Sequence, residues 1–141
     1  MKTTLALTLA LCGVVASLCI GAQTVAKPTG EEIYARICQG CHMPDGRGAQ
    51  GAGAYPALAE NPKLASAHFT ASTVYHGRHN MPHFGPQPDL GEFEAFVTVH
   101  LDDEEIASVV NYVRSHFGNH YTDELTAKDV AALHAESAPR K

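Results

Sequence analysis

Residues 35–44 read ARICQGCHMP. Cys38 and Cys41 stand three positions apart, and His42 follows directly. Two thiols and an imidazole at this spacing can do one of three things. They can supply part of a structural zinc site, which takes four ligands and usually two such pairs. They can form a redox couple of the thioredoxin type, which sits after a strand at the start of a helix. They can attach a haem, each thiol adding across a vinyl group while the neighbouring imidazole takes the iron.

The three readings differ in what else they need. Zinc needs further ligands, and no second cysteine pair follows in the chain. His79 and His83 do have the spacing of an imidazole pair, so zinc stays open as an alternative. The redox reading needs a strand before the motif, and a helical pattern stands there instead. Covalent haem needs the whole string and finds it, so haem is the favoured reading, with His42 as the proximal metal ligand. The second ring nitrogen of such a ligand should donate to a carbonyl, which the Gly-rich loop after it can supply.

A second axial ligand must come from farther along. There are three methionines. Met1 is expected to leave with an export signal, and Met43 adjoins His42 and cannot reach the opposite face. Met81, in GRHNMPHFG, is far enough along to cross the haem. Pro82 stiffens the loop behind it. His76, His79 and His83 are rivals for the same position.

The elements that must position these groups are mostly helical. KPTGEEIYARICQGCH predicts a helix capped by Thr29 with Glu32. Within it Cys38, Cys41 and His42 lie at i, i+3 and i+4, on one face. PDGRGAQGAGAYPALAENP reads as an ordered loop and NPKLASAH as a short helix, with another loop over YHGRHNMPHFGPQP. EFEAFVTVHL alternates apolar and polar residues, predicting a short extended segment near 93–100. The strongest helix is LDDEEIASVVNYVRSHFGN. It opens on Asp102 with Glu105, carries Ile106, Val109, Val110, Val113 and Phe117 as its apolar stripe, and stops at Gly118. TAKDVAALHAE reads as a last helix lying on the surface as a tail.

Composition sets the compartment. The first 26 residues pair Lys2 with a long uncharged apolar run and end in small residues, as a secretory signal does. An uncleaved anchor is the alternative, and membrane contact is expected only in that case. Cleavage removes Cys12 and Cys19 and leaves nine Lys and Arg against fifteen Asp and Glu, a net charge of −6. An acidic chain of this kind is not expected to bind nucleic acid. Two nearby thiols in an oxidising compartment should pair unless something else claims them. The expected organisation is a signal over 1–26, one haem domain over 27–120 and a helical tail over 121–141.

CQGCH, YPALAENPKL, GRHNMPHFG and LDDEEIASVVNYVRSHFGN occur in the order seen in class I c-type cytochromes. Over residues 29–119 the chain resembles that family, and most closely the small monohaem cytochromes that serve bacterial periplasmic dehydrogenases. The resemblance implies a mostly α, cytochrome c-like fold: three to four helices around one covalently attached haem c. It implies that Pro56 offers the carbonyl to His42, that Tyr55 and Leu58 line the haem, and that Met81 is the distal ligand. Arg78 is implied as a partner for a propionate, and Tyr34 and Tyr112 are implied where the first and last core helices cross. It implies one-electron transfer in the periplasm from a periplasmic or membrane-bound dehydrogenase toward an oxidase or another cytochrome, with no catalysis by this chain alone. A haem subunit fixed within a dehydrogenase complex is the nearest alternative. A haem enzyme or gas sensor with a displaceable distal ligand is a more distant one. One departure stands out: nineteen residues separate Met81 from Leu101, more than relatives usually carry.

The charge is uneven along the chain. Between Met43 and Pro88, Arg47, Lys63 and Arg78 face only Asp45 and Glu60. The loops expected to border the haem edge are therefore nearly neutral, as an apolar docking ring with acidic flanks would be.

Overall fold

A computed structural model describes residues 26–51, 53–86 and 99–137. Residues 1–25 of the expected export signal and most of the expected extended segment near 93–100 lie outside them. Val99 and His100, at its end, are in no regular element.

The first helix, α1, covers residues 30–42. It opens as an α-helix over Gly30–Ile33, widens into a π-helical turn over Tyr34–Cys38, and closes as an α-helix over Gln39–His42. Thr29 caps it as its sequence predicts. The Thr29 side chain accepts from the Glu32 amide while the Glu32 carboxylate takes the Thr29 amide, satisfying two of the end's orphan donors. The π turn was not legible in the sequence, and π turns concentrate at functional sites. Met43, with φ 65°, ends the helix.

The loop that follows is ordered, and contains a small antiparallel ribbon. Strands β1 (Ala49–Gln50) and β2 (Ala54–Tyr55) pair Ala49 with Tyr55 and Gln50 with Ala54. A 3-10 turn, Pro62–Ala65, leads into α2, Ala67–His76. This helix begins and ends later than NPKLASAH suggests. Its N-cap is Ser66, which accepts from the Phe69 amide. Thr70 and Thr73 turn their hydroxyls back onto the Ser66 and Phe69 carbonyls, a weak helix pattern that tertiary packing sustains.

The third helix, α3 (Asp103–Ser115), has the Asp102 and Glu105 capping box that its sequence predicts. Its stripe supplies the core: Ile106, Val109, Val110 and Val113 are buried together with Ile33 and Tyr34 of α1 and Ala71 and Tyr75 of α2. Each buried Ile or Val among them contributes about 1.5–3 kcal/mol relative to an exposed one. α1 and α3 cross at Gly30, where a β-carbon would lie 2.3 Å from the Ser108 carbonyl oxygen. Tyr34 packs against Tyr112 at 5.7 Å and against Phe117 at 4.8 Å between ring centres, so these rings meet where the two helices cross.

The last helix, α4 (Ala127–Ser137), corrects the expectation of a surface tail. Val130 is fully buried and Leu125 nearly so. Asn111 of α3 bonds both the amide and the carbonyl of Leu125. Arg114, also fully buried, donates to the carbonyls of Leu64, Ala65 and Asp123 and to the Asp123 carboxylate. One guanidinium thus ties α3, the 3-10 turn and the chain leading to α4. The only large apolar side chains of TAKDVAALHAE are Val130 and Leu133, which is why the sequence reads as surface. Two such residues, well placed, are enough.

Candidate functional site

The π turn and the short closing helix of α1 carry Cys38, Cys41 and His42 to one wall of a cavity of about 450 Å³. Its volume falls within the roughly 300–1,000 Å³ of ligand-binding cavities. Val109, Val110 and Val113 of α3 line it, as do Phe69 and Val74 of α2. Tyr55, Pro56, Leu58, Arg78 and Met81 border the same space. The sequence-predicted site residues are therefore brought together around one cavity.

His42 is buried, and its Nδ1 lies 2.9 Å from the Pro56 carbonyl oxygen. A carbonyl only accepts, so Nδ1 is the donor in this bond, and Nε2 is the nitrogen left to ligate. The loop that holds Pro56 is stitched from both sides. The Gly48 amide donates to the His42 carbonyl, and Leu58 and Ala59 both donate to the Gly46 carbonyl. Gly46 and Gly48 have φ of 69° and 66°, a region glycine enters without steric cost. The Tyr34 hydroxyl donates to the Met43 carbonyl at 2.7 Å, closing the turn after His42. Burial pushes that phenol up to about 12, so it stays a donor.

Met81 is half-buried and sits at the end of a tight turn. Arg78 and Met81 exchange backbone hydrogen bonds at 3.1 and 2.9 Å. Between them His79 has φ 52°, a left-handed conformation uncommon outside glycine but one that Asn, Asp and His enter more often than other residues. The Arg78 guanidinium lies 5.2 Å from the centre of the Phe69 ring, a cation–π distance. Of the rival histidines, His79 lines the cavity, whereas His76 and His83 are not among its lining residues.

The chemistry of the wall separates the three readings of the motif. Burial, and then the neighbouring Cys41, push the Cys38 thiol up to about 11. Such a thiol is not the stabilised thiolate of a redox couple. Among the described residues no three His, Cys, Asp or Glu side chains gather as a metal-binding group, so a closed zinc site at the cysteines lacks its partners. A large apolar cavity, two thiols on its wall and an imidazole with one nitrogen anchored fit a covalently held haem. Ile37, Phe69, Val74 and Phe84 also line the cavity, and the sequence did not single them out for it. Their only signal is apolar character beside the motif and the distal loop, shared by ordinary core residues.

A family model described as Cytochrome c matches residues 28–117. The alcohol dehydrogenase (quinone) cytochrome c subunit of Gluconobacter oxydans (strain 621H) is 34% identical over 112 residues, which is 78% of this chain and 23% of that protein. The fructose dehydrogenase cytochrome subunit of Gluconobacter japonicus is 36% identical over 107 residues, 68% of this chain and 20% of that protein. The gluconate 2-dehydrogenase cytochrome c subunit of Pantoea cypripedii is 30% identical over 110 residues, 74% of this chain and 24% of that protein. The chain thus spans a quarter or less of the length of these curated relatives.

Proposed function

The chain belongs to the cytochrome c family, which implies a covalently bound haem c, and from that premise we propose that it carries single electrons for a bacterial dehydrogenase in the periplasm. The observation that carries this reading is the His42–Pro56 hydrogen bond beside the paired thiols, because it anchors Nδ1 and leaves Nε2 free to ligate. Cys38 and Cys41 would hold the haem through thioether bonds. His42 and Met81 would be the protein ligands of its iron, and Tyr55, Pro56 and Leu58 would pack against it. Arg78 would neutralise a propionate.

Bound haem supplies an iron that changes oxidation state by one electron. The protein's part would be to supply both iron ligands, to exclude water and to hold those ligands still during the change. A His and Met pair raises the potential. With His42 and Met81 both ligating, no substrate would reach the iron, so a carrier is favoured over a haem enzyme or gas sensor.

The relatives are subunits of dehydrogenases, and this supports a dehydrogenase as electron donor. It also supports a second reading, a haem module fixed within such a complex. The acceptor would be an oxidase or another cytochrome. Export would rest on the signal over residues 1–26. No described helix is long and apolar enough to cross a membrane.

The test is reduction of the purified ferric holoprotein by a quinone-dependent dehydrogenase and its substrate. Rapid reduction that saturates with carrier concentration is the expected result. Co-purification in a fixed stoichiometry would favour the module, and a protein that dehydrogenases leave ferric would end the proposal. A charge placed at Ala54, on the cavity rim, should slow reduction more than added salt does. Steep salt dependence without that effect would move docking to the acidic segments.

A further inference from the structure

We propose that Asn119 is a positioning residue for the proximal side of the site: it holds the chain from Leu58 to Asn61 so that the Pro56 carbonyl stays against His42. The inference rests on His42 ligating a haem iron, as proposed above. Asn119 itself is not among the residues that line the cavity. It is buried beyond the end of α3, and it acts through the loop that it grips.

The side-chain amide of Asn119 bonds two separate stretches of chain. Its Oδ1 accepts from the Asn61 amide at 3.0 Å. Its Nδ2 donates to the Leu58 carbonyl at 2.8 Å and to the Val113 and His116 carbonyls at 2.9 Å each. Two hydrogens are thus shared among three acceptors. The Val113 and His116 bonds fix the amide to the end of α3. The Leu58 and Asn61 bonds grip the loop on either side of Ala59 and Glu60. Leu58 and Asn61 line the cavity, as Pro56 does. One amide group therefore joins α3 to a segment that starts two residues after Pro56.

The backbone on both sides is bent into this contact. Phe117 and Gly118 have φ of 57° and 80°, and Glu60 opposite them has φ 49°. Left-handed conformations are uncommon for Phe and Glu, and they persist where the surrounding structure holds them. The Glu60 amide donates to the Phe117 carbonyl at 3.0 Å. A β-carbon on Gly118 would lie 2.8 Å from Glu60 Cγ, and one on Gly46 would lie 2.8 Å from the Phe117 ring. The turn after α3 thus closes on the proximal loop from one side, while the His42 carbonyl holds the Gly48 amide from the other. A carbonyl that accepts from a ligand imidazole orients the ring and raises its basicity. Freeing the loop should weaken that bond, lower electron donation to the iron and favour the ferrous state.

The test follows exchange of the His42 Nδ1 proton with deuterium, by NMR of the ferrous holoprotein, beside the midpoint potential. In Asn119→Ala this proton should exchange about tenfold faster or more, and the potential should shift upward. Val130→Ala is the control for stability alone, because Val130 is fully buried on α4 and does not line the cavity. It should lower the melting temperature and leave the potential unmoved. A His42 proton that keeps its native exchange rate in Asn119→Ala, an unmoved potential there, or a shift that Val130→Ala reproduces overturns the inference. If Asn119→Ala holds no haem, the native protein decides. Its Asn61 amide and His42 Nδ1 protons should exchange through one shared opening, with the same dependence on denaturant. Independent exchange of the two overturns the inference. Failure of the premise shows separately: a native protein without bound haem, seen in its absorption spectrum before any variant is made, overturns the carrier reading and this inference with it.

Discussion

The Pro56 carbonyl oxygen lies 2.9 Å from Nδ1 of His42, and a β-carbon on Gly48 would start 2.8 Å from that same oxygen and 2.2 Å from the carbonyl oxygen of Tyr55. The absence of a side chain at Gly48 therefore lets the loop close onto the proximal imidazole. Gly48→Ala adds a left-handed backbone cost of about 1–2 kcal/mol and an overpacking cost of about 1–3 kcal/mol. The expected outcome is a lower melting temperature together with a changed midpoint potential, read by thermal unfolding and redox titration. A loss of stability with an unmoved potential would show that the loop does not tune the ligand.

Met81→Ala should open the distal position. The holoprotein is expected to bind cyanide and carbon monoxide readily and to lose potential by on the order of 0.1 V, a fraction of the ~0.8 V that axial ligands span. Absorption spectra and voltammetry check both. An unchanged spectrum in this variant, with a large change in His79→Ala, would transfer the axial role to His79, which lines the same cavity.

Gly30→Ala separates helix propensity from packing. In an isolated helix alanine would gain up to about 1 kcal/mol over glycine. Here the methyl group would lie 2.3 Å from the Ser108 carbonyl oxygen and 2.8 Å from the Tyr112 β-carbon, so the crossing of α1 and α3 must open. A net loss of about 1–3 kcal/mol is expected in denaturant unfolding. A stabilised variant would show that the helices tolerate a wider approach.

Arg114→Met removes the guanidinium donors to the Leu64, Ala65 and Asp123 carbonyls. An unsatisfied buried carbonyl costs about 1–3 kcal/mol, and the Leu64 bond is the buried one of the three, so a loss of about 1–3 kcal/mol is expected. Arg114→Lys should recover little, because an ammonium cannot reproduce the guanidinium fork. Chemical denaturation of the three proteins compares them. Full recovery by lysine would reduce the site to a simple charge.

Stability should fall in acid. Lys27 holds Asp102 below its usual range, Arg114 does the same for Asp123, and the hydrogen bonds of Thr126 and Thr29 lower Asp129 and Glu32. Their ordinary values are 3.8 for the aspartates and 4.5 for Glu32. A folded value below the unfolded one means that the unfolded chain binds the extra protons. The stabilisation is thus present above about pH 4.5 and is lost as pH falls through the folded values. Melting temperature measured from pH 7 to pH 3 should drop mainly below pH 5, and Asp102→Asn should flatten part of that slope.

The two capped helices were legible in the sequence because their signals are local. Thr29 with Glu32 and Asp102 with Glu105 satisfy backbone donors three residues away, and the chain needs no distant partner to do so. The same holds for the stripe of α3, whose spacing places Ile106, Val110 and Val113 on one side in any helix. The limits of α2 were not legible. Its threonines and serines favour no single state, and burial of Ala71 and Tyr75 decides the matter.

Residue type and spacing alone pointed to the chemistry: two thiols and an imidazole within five residues, in an acidic chain whose Met81 stands far from the motif. Those properties are covalent or lie within one turn. The resemblance had implied the Pro56 carbonyl opposite His42, but only the tertiary structure decided which histidine shares the cavity with Met81, and that Val130 and Arg114 fasten the last helix to the core. Each of those contacts joins residues that the chain keeps far apart, so its energy appears only once the chain has closed on itself.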